Sequence, residues 1–599
     1  MKKLFLFILT LFIPFAVYAE ELKLDWQTSW GGNSYDLNYE LLQTEDGGFL
    51  AYGYSDSTDI EGLPNKGSRD AIIIKYDKDG NLMWQTSWGG NDSDEFYYVY
   101  QTEDDGFLAF AYSLSTDIEG LPNKGSGDAI IIKYDKDGNL MWQTSWGGND
   151  SDEFYYVYQT EDGGFLASGY SKSTDIEGLP NKGYYDAIIV KYDKDGNLMW
   201  QTSWGGNDYD YIRQLLSTED GGFLAFGSSR TTDIEGLPNK GESDAIIIKY
   251  DKDGNLMWQT SWGGNAYDEF DYVYQTKDGS FLASAYSWST DIEGLPHKGF
   301  GDAIIVKYDK DGHLMWQTSW GGNSDDYIKQ LLSTKDGSFL ASGYSHSSNI
   351  EGLPNKGYGD AIIVKYDKNG NLMWQKNWGG NTNEQFDYVY QTEDGSFLAY
   401  GYSKSTNIEE LPNKGLKDAI IVKYDKDGNM LWQKSWGGNN DDGFDYAYQT
   451  EDGGFLVFGY SYSTDIEGLP NKGERDAIIV KYSIEYDLKI ITTENGTYTA
   501  IQQGKYGIIT PTPNDGYEVD NIIIKDKNGN VLDVEITKLE DGTYSFDLYT
   551  DVSVEVLFKE KLVNPKTGVN SFIGVMFTML LIGISGFFMI KNYKNNYEF

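Results

Sequence analysis

The chain has 599 residues, with 93 acidic against 48 basic side chains, a formal net charge of −45 and no cysteine. So acidic a surface is unsuited to nucleic acid, whose phosphates call for clustered lysine and arginine. Without cysteine there are no disulfides, and with only three histidines (His297, His313 and His346) a metal centre built on such side chains is unsupported.

Residues 1–19 read as a secretory signal, with Lys2-Lys3, an apolar run from Leu4 to Phe15 and Val17-Tyr18-Ala19 as the cleavage pattern. A repeat of 58 residues follows. Trp-Gly-Gly recurs at Trp30, Trp88, Trp146, Trp204, Trp262, Trp320, Trp378 and Trp436, with a second tryptophan four residues before each. Such a period with strand signals belongs to solenoids and propellers. Within residues 93–150 the signals are strand at 96–102, tight turn, strand at 107–113, then a loop at 117–125. Strands at 128–134 and 140–146 follow, joined by an Asp-Lys-Asp-Gly-Asn hairpin turn. Four antiparallel strands make one propeller blade. The Ala-Ile-Ile-Ile run of the third strand does not alternate, as expected of a strand buried on both faces.

The ends choose between ring and stack. Residues 24–30 supply only a fourth strand, and residues 476–482 stop at a third. Paired, they complete one blade and remove the open edges, whereas a solenoid would need caps. The expectation is an all-β fold: an eight-bladed β-propeller over residues 22–482, closed by its N- and C-terminal strands. Residues 484–560, with turns at Asn495-Gly496, Asp515-Gly516, Asn528-Gly529 and Asp541-Gly542, read as a small β domain. Residues 561–599 hold Asn564-Pro-Lys-Thr-Gly568, an apolar stretch at 572–590, then Lys591 and Lys594. That stretch is long enough for a transmembrane helix across a core of about 30 Å, with the lysines cytoplasmic.

The segments from Ile73 to Trp84 (Ile-Ile-Lys-Tyr-Asp-Lys-Asp-Gly-Asn-Leu-Met-Trp) and from Thr44 to Ala51 (Thr-Glu-Asp-Gly-Gly-Phe-Leu-Ala) resemble bacterial SBBP-type β-propeller repeats. The first is also similar to quinoprotein propeller repeats, whose late tryptophan docks on the next blade. Glu494-Asn-Gly-Thr497, Pro513 to Asp520 and Val554 to Phe558 are similar to the internalin-type bacterial repeat domain of Gram-positive surface proteins. Pentapeptide, apolar span and basic tail resemble a sortase sorting signal, with Asn564 where the commonest motif has leucine. That resemblance implies cleavage between Thr567 and Gly568 and covalent transfer to peptidoglycan, the helix holding the chain in the membrane beforehand. The alternative is a retained membrane anchor. Either places the protein outside a Gram-positive cell, on its wall or membrane.

Loops carried on a rigid scaffold are the usual home of binding sites. The long-loop face carries an acidic series, Asp36, Asp94, Asp152, Asp210, Asp268, Asp326, Glu384 and Asp442. These oxygens suit Ca²⁺, which takes six to eight, or a cationic or sugar ligand; alternatively each carboxylate fixes its own turn. One position of the innermost strands breaks the symmetry: Tyr39, Tyr97, Tyr155, Arg213, Asp271, Lys329, Asp387 and Asp445. It is either a ring of salt bridges, Arg213 and Lys329 reaching Asp271 and Asp387, or a ligand site with an aromatic and a charged side. None of the three histidines has the partner that acid–base catalysis needs. The sequence therefore reads as a non-enzymatic surface protein for binding or adhesion to a glycan or protein. A carbohydrate-active enzyme working through carboxylates and a structural spacer are the alternatives.

Overall fold

The computed structural model describes residues 21–562, other than 122, 123, 180, 235, 238, 393, 410, 412, 451, 470, 527 and 528. The proposed signal at 1–19, the span at 572–590, and Thr567 and Gly568 lie outside the described residues. Every element among those described is a β-strand, and the repeats form four-stranded antiparallel sheets, the architecture of a β-propeller.

The second sheet shows how one repeat folds. Strands Asp94–Gln101, Phe107–Ser113, Asp128–Tyr134 and Leu140–Trp146 pair in chain order. The second hairpin closes on an Asx turn: Asp135 Oδ1 accepts from Asp137 N at 2.9 Å and Asn139 N at 2.8 Å. Gly138 takes φ 80° there, a conformation costly for any residue with a Cβ. The first hairpin is pinned from beneath by Lys133, which donates to Thr102 Oγ1 at 2.7 Å and Asp104 Oδ1 at 2.8 Å.

The core lies between sheets. The third strand is buried along its whole length, the fourth mostly half-exposed. Because side chains alternate across a strand, Ile130 and Ile132 pack toward the first sheet beside Tyr52 and Ile73. Ile131 packs toward the third sheet beside Phe154 and Ile188. A fully buried isoleucine contributes about 1.5–3 kcal/mol, so the unbroken apolar run serves two interfaces at once.

Both tryptophan series act across the same seams. Trp88 Nε1 donates to Gln143 Oε1 of the next sheet at 2.8 Å, and that glutamine's Nε2 donates to Glu119 O at 2.8 Å. The earlier tryptophan, Trp84, lies over the turn glycine of the next sheet, where a Cβ on Gly138 would come within 2.7 Å of its ring.

Strand Glu21–Trp30 pairs antiparallel with Asp476–Glu485, from Glu21 opposite Glu485 to Trp30 opposite Ala477. It thereby completes the sheet of Asp442–Gln449 and Phe455–Ser461. Trp436 Nε1 donates to Gln27 Oε1 at 2.9 Å, the repeat's usual bond made here from the preceding sheet to the N-terminal strand. Trp30, Leu456, Phe458 and Ile479 join Leu41, Phe49 and Ile72 of the first sheet in one cluster. This last sheet has no second hairpin turn. Trp432, deprived of a turn glycine, is instead buried in the cluster containing Leu22 and Ile484, with 7% of its surface exposed.

The second compact unit of the chain comprises residues 488–501, 507–546 and 552 onward. Tyr517–Asp526 runs antiparallel to Val552–Glu560, which Leu488–Ile490 joins in parallel.

Candidate functional site

The symmetry-breaking residues share a feature that no composition reveals: each is a β-bulge. In the second sheet the register runs Phe96 opposite Ala111, then Tyr98 opposite Phe110, so Tyr97 has no partner. The same slip skips Tyr39, Tyr155, Arg213, Asp271, Lys329, Asp387 and Asp445. A bulge leaves one residue outside the ladder and re-aims its side chain. Here the fold frees one side chain per sheet from any pairing duty, at the edge strand and near the long loops.

These residues form a belt, in which two pairs meet directly and the others contact tyrosine, glutamine or acidic side chains beside them. The rings of Tyr39 and Tyr97 lie 6.1 Å apart, and the Tyr39 hydroxyl donates to Glu95 Oε2 at 2.7 Å. Tyr155 lies 5.5 Å from Tyr170. Arg213 reaches Asp271 at the outer limit of an ion pair, its NH1 4.0 Å from Asp271 Oδ1, while its Nε pairs more closely with Glu269. Asp271 accepts from the Tyr327 hydroxyl at 2.5 Å, and the Lys329 ammonium lies 5.1 Å from the Tyr327 ring centroid. Asp387 accepts from Gln385. Burial pushes the Asp271 and Asp445 carboxyls up to about 6, although basic neighbours (Arg213 and Lys329, and Arg475 and Lys417) pull the other way.

The residues around the bulges vary too, and sequence reasoning missed them. Just before the first strands stand Ser93, Ser151, Tyr209 and Tyr267, bridged to Arg69, Gly127, Tyr185 and Ser243 before the third strands. Paired across the first two strands are Glu95 with Tyr112, Glu153 with Tyr170, and Glu269 with Tyr286. Comparing repeats at those offsets exposes the same asymmetry, since the core positions barely change. On one side the belt opens into a cavity of about 610 Å³, lined by Tyr155, Tyr170, Tyr185, Tyr209, Tyr211, Arg213 and Arg230.

The acidic series from Asp36 to Asp442 is placed elsewhere, in the core of each repeat, none of its members more than 1% exposed. Asp94 accepts from Ser113 Oγ at 2.5 Å, Ser115 Oγ at 2.7 Å and Gly90 N at 2.8 Å. The backbone bond to the second glycine of Trp-Gly-Gly recurs for Asp36, Asp152, Asp210, Asp268, Asp326, Glu384 and Asp442. This is the loop-fixing arrangement. A second carboxylate faces it across the first glycine: a Cβ on Gly89 would lie 2.8 Å from Asp94 Oδ2 and 2.9 Å from Asp70 Oδ1. Among the described residues no group of three or more His, Asp or Glu side chains is placed to hold a metal ion.

No family model matches the chain. It is similar to the regulatory protein FlaEY of Caulobacter vibrioides, 26% identical over 228 residues, which cover 33% of this chain and 24% of that protein. It is also similar to the uncharacterized WD repeat-containing protein L264 of Acanthamoeba polyphaga mimivirus, 19% identical over 413 residues, or 53% of this chain and 30% of the relative. The chain thus spans about a quarter to a third of the length of these relatives. Among solved structures, puromycin hydrolase matches over 78% of this chain and 65% of its own, with 11% identity and a TM-score of 0.35.

Proposed function

We propose that the chain is an eight-bladed β-propeller displayed on the outside of a Gram-positive cell, where it binds a glycan or protein ligand through the bulge belt. Support for eight blades comes from the cyclic packing: each sheet shares a core with the next, and the sheet completed by Glu21–Trp30 shares one with the first. Support for surface display comes from the leader at residues 1–19 and the sorting-type sequence from Asn564 to the basic tail.

One observation carries the binding reading. The fold keeps its core nearly identical from repeat to repeat, yet lets the eight unpaired bulge residues differ in charge and aromaticity. Variation held on a rigid belt suits recognition of an asymmetric ligand. A pure spacer has no use for it. The enzymatic reading has one feature in its favour: Asp271, raised by burial to about 6, stands two residues from Glu269 with Arg213 between them.

The test is a glycan and protein array probed with the full chain, with and without Ca²⁺, beside a variant carrying Tyr39→Ser, Tyr97→Ser and Asp387→Asn. Saturable binding that the variant lacks, with its melting temperature kept, is the expected result. Binding untouched by the variant would remove the belt from recognition, and release of a cleaved sugar would move the chain into the enzyme class.

A further inference from the structure

The chain contains four arginines, Arg69, Arg213, Arg230 and Arg475, which lie over the rings of Tyr54, Tyr211, Tyr209 and Tyr460 in turn. In a protein of net charge −45 arginine is scarce, and it is the side chain best shaped for bidentate anion binding. Arg69 is held by Asp56 and Glu95, and Arg213 by Glu269. Arg230 is different: it is exposed, lies 5.5 Å from the Tyr209 ring centroid, and makes no ion pair among the described residues.

The cavity beside Arg230 has walls of one chemical kind. Its lining is tyrosine and arginine, with no aspartate, no glutamate and no aliphatic side chain among the described residues. Tyr185 stands 4.9 Å from Tyr170 and 4.7 Å from Tyr209, a continuous aromatic wall, and the Lys172 ammonium lies 4.6 Å from the Tyr185 ring. Tyrosine presents an apolar face and a hydrogen-bonding tip. Walls built only of such groups complement a ligand with apolar faces and polar edges all round, which describes a pyranose ring. A guanidinium without an internal partner adds a bidentate site for a carboxylate. The volume of about 610 Å³ falls within the usual range for small-ligand sites.

We infer that this cavity, between the third and fourth sheets, binds a carboxylate-bearing sugar residue of a glycan, its ring against Tyr185 and Tyr209 and its carboxylate on Arg230. The inference rests on the binding function proposed above and names its ligand class.

Two sources share that chemistry, uronic acids and sialic acids, and calorimetry on the full chain separates them. The probes are tetragalacturonate, sialyllactose, the methyl ester of each, and a glutamate hexapeptide. At least one acidic sugar should bind, at least tenfold more tightly than its ester and more weakly as salt rises. Arg230→Gln and Tyr209→Ala should each weaken it at least tenfold, and Arg230→Lys less. Lys252→Gln, the same loss of charge at an exposed hairpin turn away from the belt and the cavity, should leave it within twofold. Circular-dichroism melts check that exposed Arg230 can be changed without loss of folding. Binding of neither acid, equal binding of ester and acid, or indifference to Arg230→Gln overturns the inference. So does equal binding of the hexapeptide, which would reassign the cavity to acidic peptides. Should the array ligand depend on the bulge residues while neither acidic sugar binds, this inference fails and the binding function stands.

Discussion

Replacing Gln27 by alanine tests whether the chain ends lock the ring. The change removes two hydrogen bonds, from Trp436 Nε1 at 2.9 Å and to Glu467 O at 2.7 Å. A net bond is worth about 1 kcal/mol, and a part-buried donor left unpaired costs about 1–2 kcal/mol more. Trp436 is only 7% exposed, so its indole N–H is stranded, whereas the exposed loop at Glu467 is rehydrated. The expected loss is about 2–3 kcal/mol. Gln143→Ala makes the same chemical change inside the ring, removing a bond of 2.8 Å from Trp88 and one of 2.8 Å to Glu119 O. The two variants should melt alike and open differently. Leu140–Trp146 is tied to its neighbour by a covalent turn, whereas Glu21–Trp30 is held by its ladder and side chains alone. Hydrogen exchange in residues 476–482 should therefore accelerate in Gln27→Ala by about 30–150-fold, the ratio that 2–3 kcal/mol gives at tenfold per 1.4 kcal/mol. Residues 128–134 in Gln143→Ala should change far less. Equal acceleration in the two segments would refute the idea that the seam is the ring's weakest point.

Four further outcomes are expected. Burial raises Asp128, Asp210, Asp244, Asp418 and Asp476 to about 6, above an unfolded value near 3.8, so their contribution is lost as pH rises through about 4–6. Asp104, Asp162 and Asp220 are held at about 2, because bonds from Lys133, Lys191 and Lys249 and from their threonines outweigh burial; their contribution is lost below about 4. The melting temperature should thus climb from pH 7 toward a maximum near pH 4 and fall beyond it, and a flat profile would contradict the burial of these groups. Asp105, at φ 61° where the first repeat has Gly47 at 79°, should gain about 0.5–1 kcal/mol on replacement by glycine, read by urea denaturation. Arg213→Ala should cost about 1–2 kcal/mol by stranding Glu269, and a double-mutant cycle should show strong coupling to Glu269→Gln and weak coupling to Asp271→Asn. Thr567→Ala should keep the secreted chain in the membrane fraction, and unchanged release by muralytic digestion would rule out sorting at that bond.

The parts of the fold that the sequence made legible are those where one residue's reason is local or copied. The Asx turn at Asp135–Asn139 lies within five consecutive residues, and the missing hairpin at both chain ends states the closure before any coordinate is seen. The unbroken Ile130-Ile131-Ile132 run declares two buried faces because no alternating strand would leave all three apolar. The role of Asp94 was not legible in the same way. Its donors Ser113 and Ser115 lie 19 and 21 positions on, so a carboxylate beside Gly-Gly-Asn reads equally as ligand or as brace until the strands are registered. The bulges were hidden for a related reason. Tyr97 differs from Tyr98 only in that the opposite strand is one residue shorter there, which is a property of the pair and of neither strand. Arg213 adds the last step: its nearest carboxylate, on Glu269, comes from the next repeat at a different offset. The repeat pattern therefore located the eight positions, while their contacts depended on which side chain each repeat places at the common bulge and on what the adjoining sheet brings beside it.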